Sequence, residues 1–134
     1  MQIIDPLHRW SGRLPATCLK LLPVERRDHR LACITDAATW TSIWHQWRGE
    51  ATQPRINFSS QFVALVHNVR YVNRIRFQSA SIDDGVLTIE SIETRTARPI
   101  DDEMYCLVMV FETDGVVAIS DGSEVLPVPS HAKA

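Results

Sequence analysis

ITDAATWTSIWHQWRGEATQPRINFSSQFVALV, residues 34–66, is the stretch that decides the fold. Thr35 or Asp36 suits a helix N-cap, because its side-chain oxygen accepts an otherwise orphaned backbone N–H. Trp40, Ile43, Trp44 and Trp47 then recur at i, i+3, i+4 and i+7. That spacing predicts an amphipathic helix over residues 36–48 with one wide aromatic face. Gly49 stands where a helix C-terminus favours glycine. After a polar loop containing Pro54, Phe62–Val66 is nearly continuous apolar sequence. It reads as a strand covered on both faces. Three of the four tryptophans lie in the one helix. The simpler reading is that Trp40, Trp44 and Trp47 cover a sheet; the sharper one is an exposed aromatic face for a partner or a sugar.

On the N-terminal side, Pro6, Gly12 and Pro15 break up residues 1–16, which read as an irregular segment that Trp10 and Leu14 pin to the domain. Thr17–Leu22 suits an edge strand closed by Pro23, Glu25–Arg30 a solvated loop, and Leu31–Ile34 a short strand. On the C-terminal side, Asp84-Gly85 is the strongest hairpin signal in the chain. A two-residue loop there sets Phe77 opposite Ile92, Ala80 opposite Ile89, Ile82 opposite Leu87 and Arg76 opposite Glu93. Met104–Glu112 is a second strongly apolar strand, and Asp114-Gly115 turns it into a hairpin with Val116–Ser120. Residues 123–134, with two prolines and a polar end, read as a frayed tail. The expectation is one α+β domain spanning 1–134: a mostly antiparallel sheet or sandwich of about six or seven strands with one main helix against it.

Composition narrows the function classes. The chain has 134 residues, enough for one core, with 45% hydrophobic and 22% charged residues, as in ordinary soluble domains. Fourteen basic residues are set against sixteen acidic ones, so no global basic footprint points to nucleic acid. The three cysteines (Cys18, Cys33, Cys106) are odd in number and show no CxxC spacing, which supports neither a disulfide framework nor zinc. No apolar run approaches the ~20 residues of a membrane span, and the N-terminus lacks the basic-then-apolar pattern of a secretory signal. A cytoplasmic location is expected on that basis, or an exported one if the start site is misassigned.

From Ile34 to Ser120 the order of elements resembles the C-terminal domain of the PrcB family, over about two thirds of the chain. The matching pieces are Trp40–Trp47, Pro54-Arg55-Ile56-Asn57-Phe58, Phe62–Val66, the hairpin at Asp84-Gly85, and Tyr105–Phe111. Relatives carry a Gly-Gly-Tyr-like turn after the central strand, where this chain has Asn68-Val69-Arg70-Tyr71-Val72-Asn73. Asn57 also stands where an aspartate is usual, so no functional residue is carried over. The resemblance implies a bacterial accessory or interaction domain.

No complete catalytic, metal or cofactor constellation is present, and no G-x-S-x-G elbow or Gly-rich phosphate loop. Cys33 near His29 is the one thinkable nucleophile–base pair, while Cys106 reads as a core filler. The patterned polar feature is Arg70, Arg74 and Arg76, with His67 and Arg98 nearby. Arginines on one strand face hold a carboxylate or phosphate by bidentate hydrogen bonds, or else form a solvated face neutralised by Glu90 and Glu93. Three readings follow. The first is a non-enzymatic interaction or accessory module, acting on a protein partner or as a homodimer through a sheet edge or the tryptophan face. The second is a small-ligand or anion-binding protein using the arginines. The third, an enzyme, has the least behind it. No cofactor is expected.

Overall fold

The structure is a computed structural model and describes residues 1–129. Its elements run β1 (Gln2–Ile3), β2 (His8–Pro15), β3 (Leu31–Ile34), α1 (Ala37–Arg48), β4 (Gln61–His67), β5 (Ile75–Asp83), β6 (Val86–Glu93), β7 (Glu103–Glu112), β8 (Ala118–Ser120) and β9 (Val125–Pro127). Two sheets result, ordered β2-β7-β4-β3 and β1-β5-β6-β8-β9. The fold is α+β, as expected, with nine strands among the described residues rather than six or seven. The unforeseen strands are β1 and β2, within the first sixteen residues, and β9, within the expected tail; β1 and β9, of two and three residues, are too short to show an alternation.

The four-stranded sheet is the middle of three layers. Period two along β4 sends Val63 and Leu65 toward α1, and Phe62, Ala64 and Val66 toward the other sheet. Along β7, Cys106, Val108 and Val110 face the helix, while Leu107, Met109 and Phe111 face the second sheet. A strand flanked on both faces must be apolar throughout, which is what Phe62–Val66 spells. The helix forms as its caps predict: Asp36 accepts the Thr39 N–H at 2.8 Å, and Gly49 closes the C-terminus at φ 58°.

Several expectations are corrected. Residues 1–16 are not irregular but contain β1 and β2, with Pro15 at the end of an edge strand, where a missing N–H costs little. Thr17–Leu22 is not a strand; Ala16–Leu21 is a 3-10 helix, so that Cys18 and Leu22 both turn into the helix-side core. The Asp84-Gly85 hairpin forms with the expected pairs Ala80–Ile89 and Ile82–Leu87, but a bulge between Phe77 and Ser79 shifts the rest. Phe77 therefore faces Ser91 and Arg76 faces Ile92, and Glu93 lies opposite Ile75. Val116–Ser120 makes no hairpin with β7, because β7 is already paired with β2 and β4 on its two sides. The chain crosses instead to the other sheet, where β8 runs parallel to β6. Gly85 suits both the turn and the crossing: its φ of 82° favours glycine, and a Cβ there would crowd the Val117 side chain, 2.9 Å from its Cγ2. The tail is ordered as far as β9, which pairs with β8; the remainder of the expected frayed segment, 130–134, lies outside the described residues. Among the described residues no helix is long and apolar enough to cross a membrane.

Candidate functional site: a groove between two open strand edges

β2 pairs with β7 along all eight of its residues and, among the described residues, has no strand on its other side. In the second sheet, β1 covers only Ser81 and Ile82 of β5, so Ile75–Ser79 is likewise open on that side. The two open edges flank a groove of about 500 Å³ lined by Arg9, Trp10, Ser11, Arg76, Phe77 and Gln78, with Ile92 and Leu107 behind. Period two along β2 explains the placement. Trp10 and Leu14 face the helix-side core, which leaves Arg9, Ser11 and Arg13 on the other face. The Arg9 guanidinium lies over the Phe77 ring, 4.9 Å from its centroid. Neither Arg9 nor Arg76 has an ion-pair partner among the described residues, and no carboxylate lines the groove. Arg13 lies 3.7 Å from Glu103, both largely exposed, so that pair is worth little.

Of the three arginines that the sequence marks, Arg70 lies in the loop before β5, Arg74 immediately precedes the strand, and Arg76 alone lines the groove. Arg76 joins Arg9 there. The acids expected to neutralise them are engaged elsewhere: Glu90 accepts from Ser79 Oγ at 2.8 Å, and Glu93 holds Arg30 and Asn73. Pro6, Gly12 and Pro15 mask the strand that carries Arg9, although the alternation of Arg9, Ser11 and Arg13 against Trp10 and Leu14 contains its signal.

The tryptophans form one cluster that includes Trp10. Its ring centroid is 5.8 Å from Trp40 and 5.5 Å from Trp44, and Trp44 is 5.9 Å from Trp47. Trp40 and Trp44 are 1% and 4% exposed, so the aromatic-face reading loses two of its three residues. Trp47 is half-buried and carries Arg48 stacked at 4.2 Å.

A second polar cluster occupies the opposite end of β4 from the Ser59-Ser60 turn. A cleft of about 430 Å³ is lined by Arg30, Tyr71, Asn73, Glu93, Arg95 and Thr96. His67, whose backbone N–H donates to the Arg30 carbonyl at 2.8 Å, is fully buried, its Nδ1 2.8 Å from the Asn68 carbonyl and its Nε2 without a hydrogen-bond partner among the described residues. Burial, and then the nearby Arg30 and Arg26, lower its pKa against the opposing pull of the Asn68 carbonyl and Glu124. His29 sits 3.4 Å from Glu124. Cys33 packs against the inter-sheet core, and burial pushes its thiol up to about 12, the reverse of nucleophile activation. No group of three or more His, Cys, Asp or Glu with metal-site geometry occurs among the described residues.

These burials set a pH dependence of stability. The unfolded His67 takes up a proton near its ordinary 6.5, whereas the folded one does so at lower pH. Its contribution is therefore fully present above pH 6.5 and is lost as pH falls through the folded pKa. The buried thiols act at the other limb: Cys18 is raised to about 11 and Cys33 to about 12 from an ordinary 9.0, and Cys106 is raised as well. Above pH 9 the unfolded chain loses protons that the folded chain keeps, so stability falls again. Urea midpoints measured from pH 5 to pH 10 are expected to plateau between about 6.5 and 9. His67→Gln is expected to flatten the acid limb without moving the alkaline one.

Comparison with family models, with curated proteins and with solved structures finds no match to this chain.

Proposed function

We propose that this chain is a non-enzymatic binding module that takes up an extended, acidic segment of a partner protein along the edge of β2. The observation that carries this reading is the open eight-residue edge beside two arginines that have no acidic partner. An unpaired edge offers backbone N–H and C=O groups to an added strand, and the flanking side chains select what is added. At ~3.3 Å per residue the edge is about 26 Å long, room for a segment of about seven residues. Arg9, Arg13 and Arg76 favour carboxylates on that segment. They also disfavour a second copy: an antiparallel self-pairing centred on Ser11 sets Arg9 directly against Arg13. An accessory role of this kind agrees with what the PrcB resemblance implies.

A small-anion reading uses the same Arg9 and Arg76, and one experiment separates the two. A fluorescent peptide alternating Glu with Val and Tyr is titrated against the protein, beside a Lys counterpart, an N-methylated version and free glutarate. The acidic peptide is expected to bind, to weaken with added salt, and to lose binding on N-methylation. The double variant R9E/R76E is expected to lower its affinity at least about tenfold. Glutarate displacing the peptide at similar concentration, with N-methylation without effect, supports the anion reading. Equal binding of the Lys peptide contradicts both.

A further inference from the structure

Gly12 is the one glycine within a strand among the described residues, and it stands in the middle of the open edge of β2. A strand-interior glycine gives up side-chain packing and often marks a place where another chain approaches closely. Period two puts Gly12 on the same face as Trp10 and Leu14, toward the helix side, and its partner across the ladder, Cys106, belongs to the helix-side core. Chain neighbours aside, a Cβ on Gly12 would meet no atom of the described residues within 4 Å. The edge therefore carries a notch on this face. Its flank toward the start of β2 is aromatic. Trp10 is half-buried, stacked nearly parallel on His8 with centroids 5.7 Å apart, and set edge-on to Trp44 at 5.5 Å. The other flank is the buried Leu14.

We infer that the segment received by β2 carries an aromatic residue level with Gly12, flanked on each side by an acidic one. This rests on the strand-addition reading and adds the specificity of that site. A strand laid along the edge, in either direction, turns the residue opposite Gly12 to the helix side. Its two neighbours then turn to the side of Arg9, Ser11 and Arg13. Alternation thus divides the segment into an acidic face and an apolar face. Among the apolar positions, only the one opposite Gly12 has room. Opposite His8, Trp10 or Leu14, an incoming side chain meets one already there, whereas over Gly12 it lies on bare backbone. A flat ring covers that backbone best, which is how aromatic residues rescue glycines at sheet edges. The same ring meets Trp10 diagonally across the new pair. An aliphatic side chain covers less of the notch, and alanine leaves it to water.

The test titrates the unaltered full chain with end-capped peptides Glu-Val-Glu-X-Glu-Val-Glu in which X is Phe, Leu or Ala. Affinity is read by fluorescence anisotropy of a labelled peptide, and the Gly12 Hα resonances are followed by NMR. The Phe peptide is expected to bind at least about fivefold more tightly than the Ala peptide, with Leu between them. A ring lying over a glycine shields its Hα protons, so the Gly12 signals are expected to move upfield with Phe and not with Leu. Equal affinities for all three peptides, each protecting β2 amides from exchange, overturn the inference and leave strand addition standing. Failure of all three to bind overturns both. A Leu peptide as tight as the Phe peptide overturns the requirement for a ring. A Phe advantage whose upfield shift falls on His8 or Leu14 in place of Gly12 overturns the register, and with it the role of the notch.

Discussion

Trp44→Ala is expected to lower the unfolding free energy by about 3–5 kcal/mol, the range for removing a fully buried large aromatic side chain. The upper end applies for three reasons. Trp44 is 4% exposed and sits at the centre of the cluster, touching Trp10, Trp40 and Trp47. Each such aromatic contact is worth roughly 0.5–1.5 kcal/mol beyond the area buried. Its Nε1 also donates to the Ala51 carbonyl at 2.9 Å, fixing the loop that leaves α1. Trp47→Ala, at the half-buried end of the same cluster, is expected to cost less than half as much. Urea unfolding monitored by far-UV circular dichroism measures both. Equal losses would mean that Trp44 is not the centre of the helix–sheet contact.

Asn68→Ala is expected to cost about 2–4 kcal/mol, although no apolar core is touched. Asn68 is 1% exposed, and its side chain makes three hydrogen bonds. Its Oδ1 accepts from Tyr105 N–H at 2.6 Å and from Asn73 N–H at 3.3 Å, while its Nδ2 donates to the Asn73 carbonyl at 3.0 Å. Alanine leaves those backbone groups without their partner in a low-dielectric setting, which is the costly half of a hydrogen bond. The consequence extends outward, because Asn73 also donates to Glu93 at 2.8 Å and accepts from Thr96 N–H at 2.9 Å. Amide exchange in residues 70–74 and 94–98 is expected to quicken in the variant more than in β4 itself. A loss below 1 kcal/mol with unchanged exchange would mean that this loop is held by other contacts.

What was legible in the sequence was what repeats with a period. The capped helix, the doubly buried strand at Phe62–Val66 and the Asp84-Gly85 turn each carry their signal within a few residues, and each forms. What was not legible depends on neighbours far along the chain. Val116–Ser120 looks like the second arm of a hairpin until β2 and β4 occupy both sides of β7. The Gln78 bulge moves Arg76 from Glu93 to Ile92, which no alternation rule foresees. Pro6, Gly12 and Pro15 argue against a strand in isolation, yet Pro6 falls in the connection before β2 and the edge strand itself tolerates Gly12 and Pro15, so the first sixteen residues supply a whole edge. The candidate site suffered most from this. Arg76 shares its groove with Arg9, which comes from the segment with the least regular pattern.

The central claim is that the free side of β2 receives an extended acidic segment. Amide hydrogen exchange along His8–Pro15, with and without the Glu-Val-Tyr peptide, tests it most directly. The account predicts that alternate amides of β2, those pointing away from β7, slow on binding, while the amides of β3 at the far edge of the same sheet keep their rates. Unchanged exchange in β2 at saturating peptide, or protection centred instead on the end of α1 around Trp47, would contradict it.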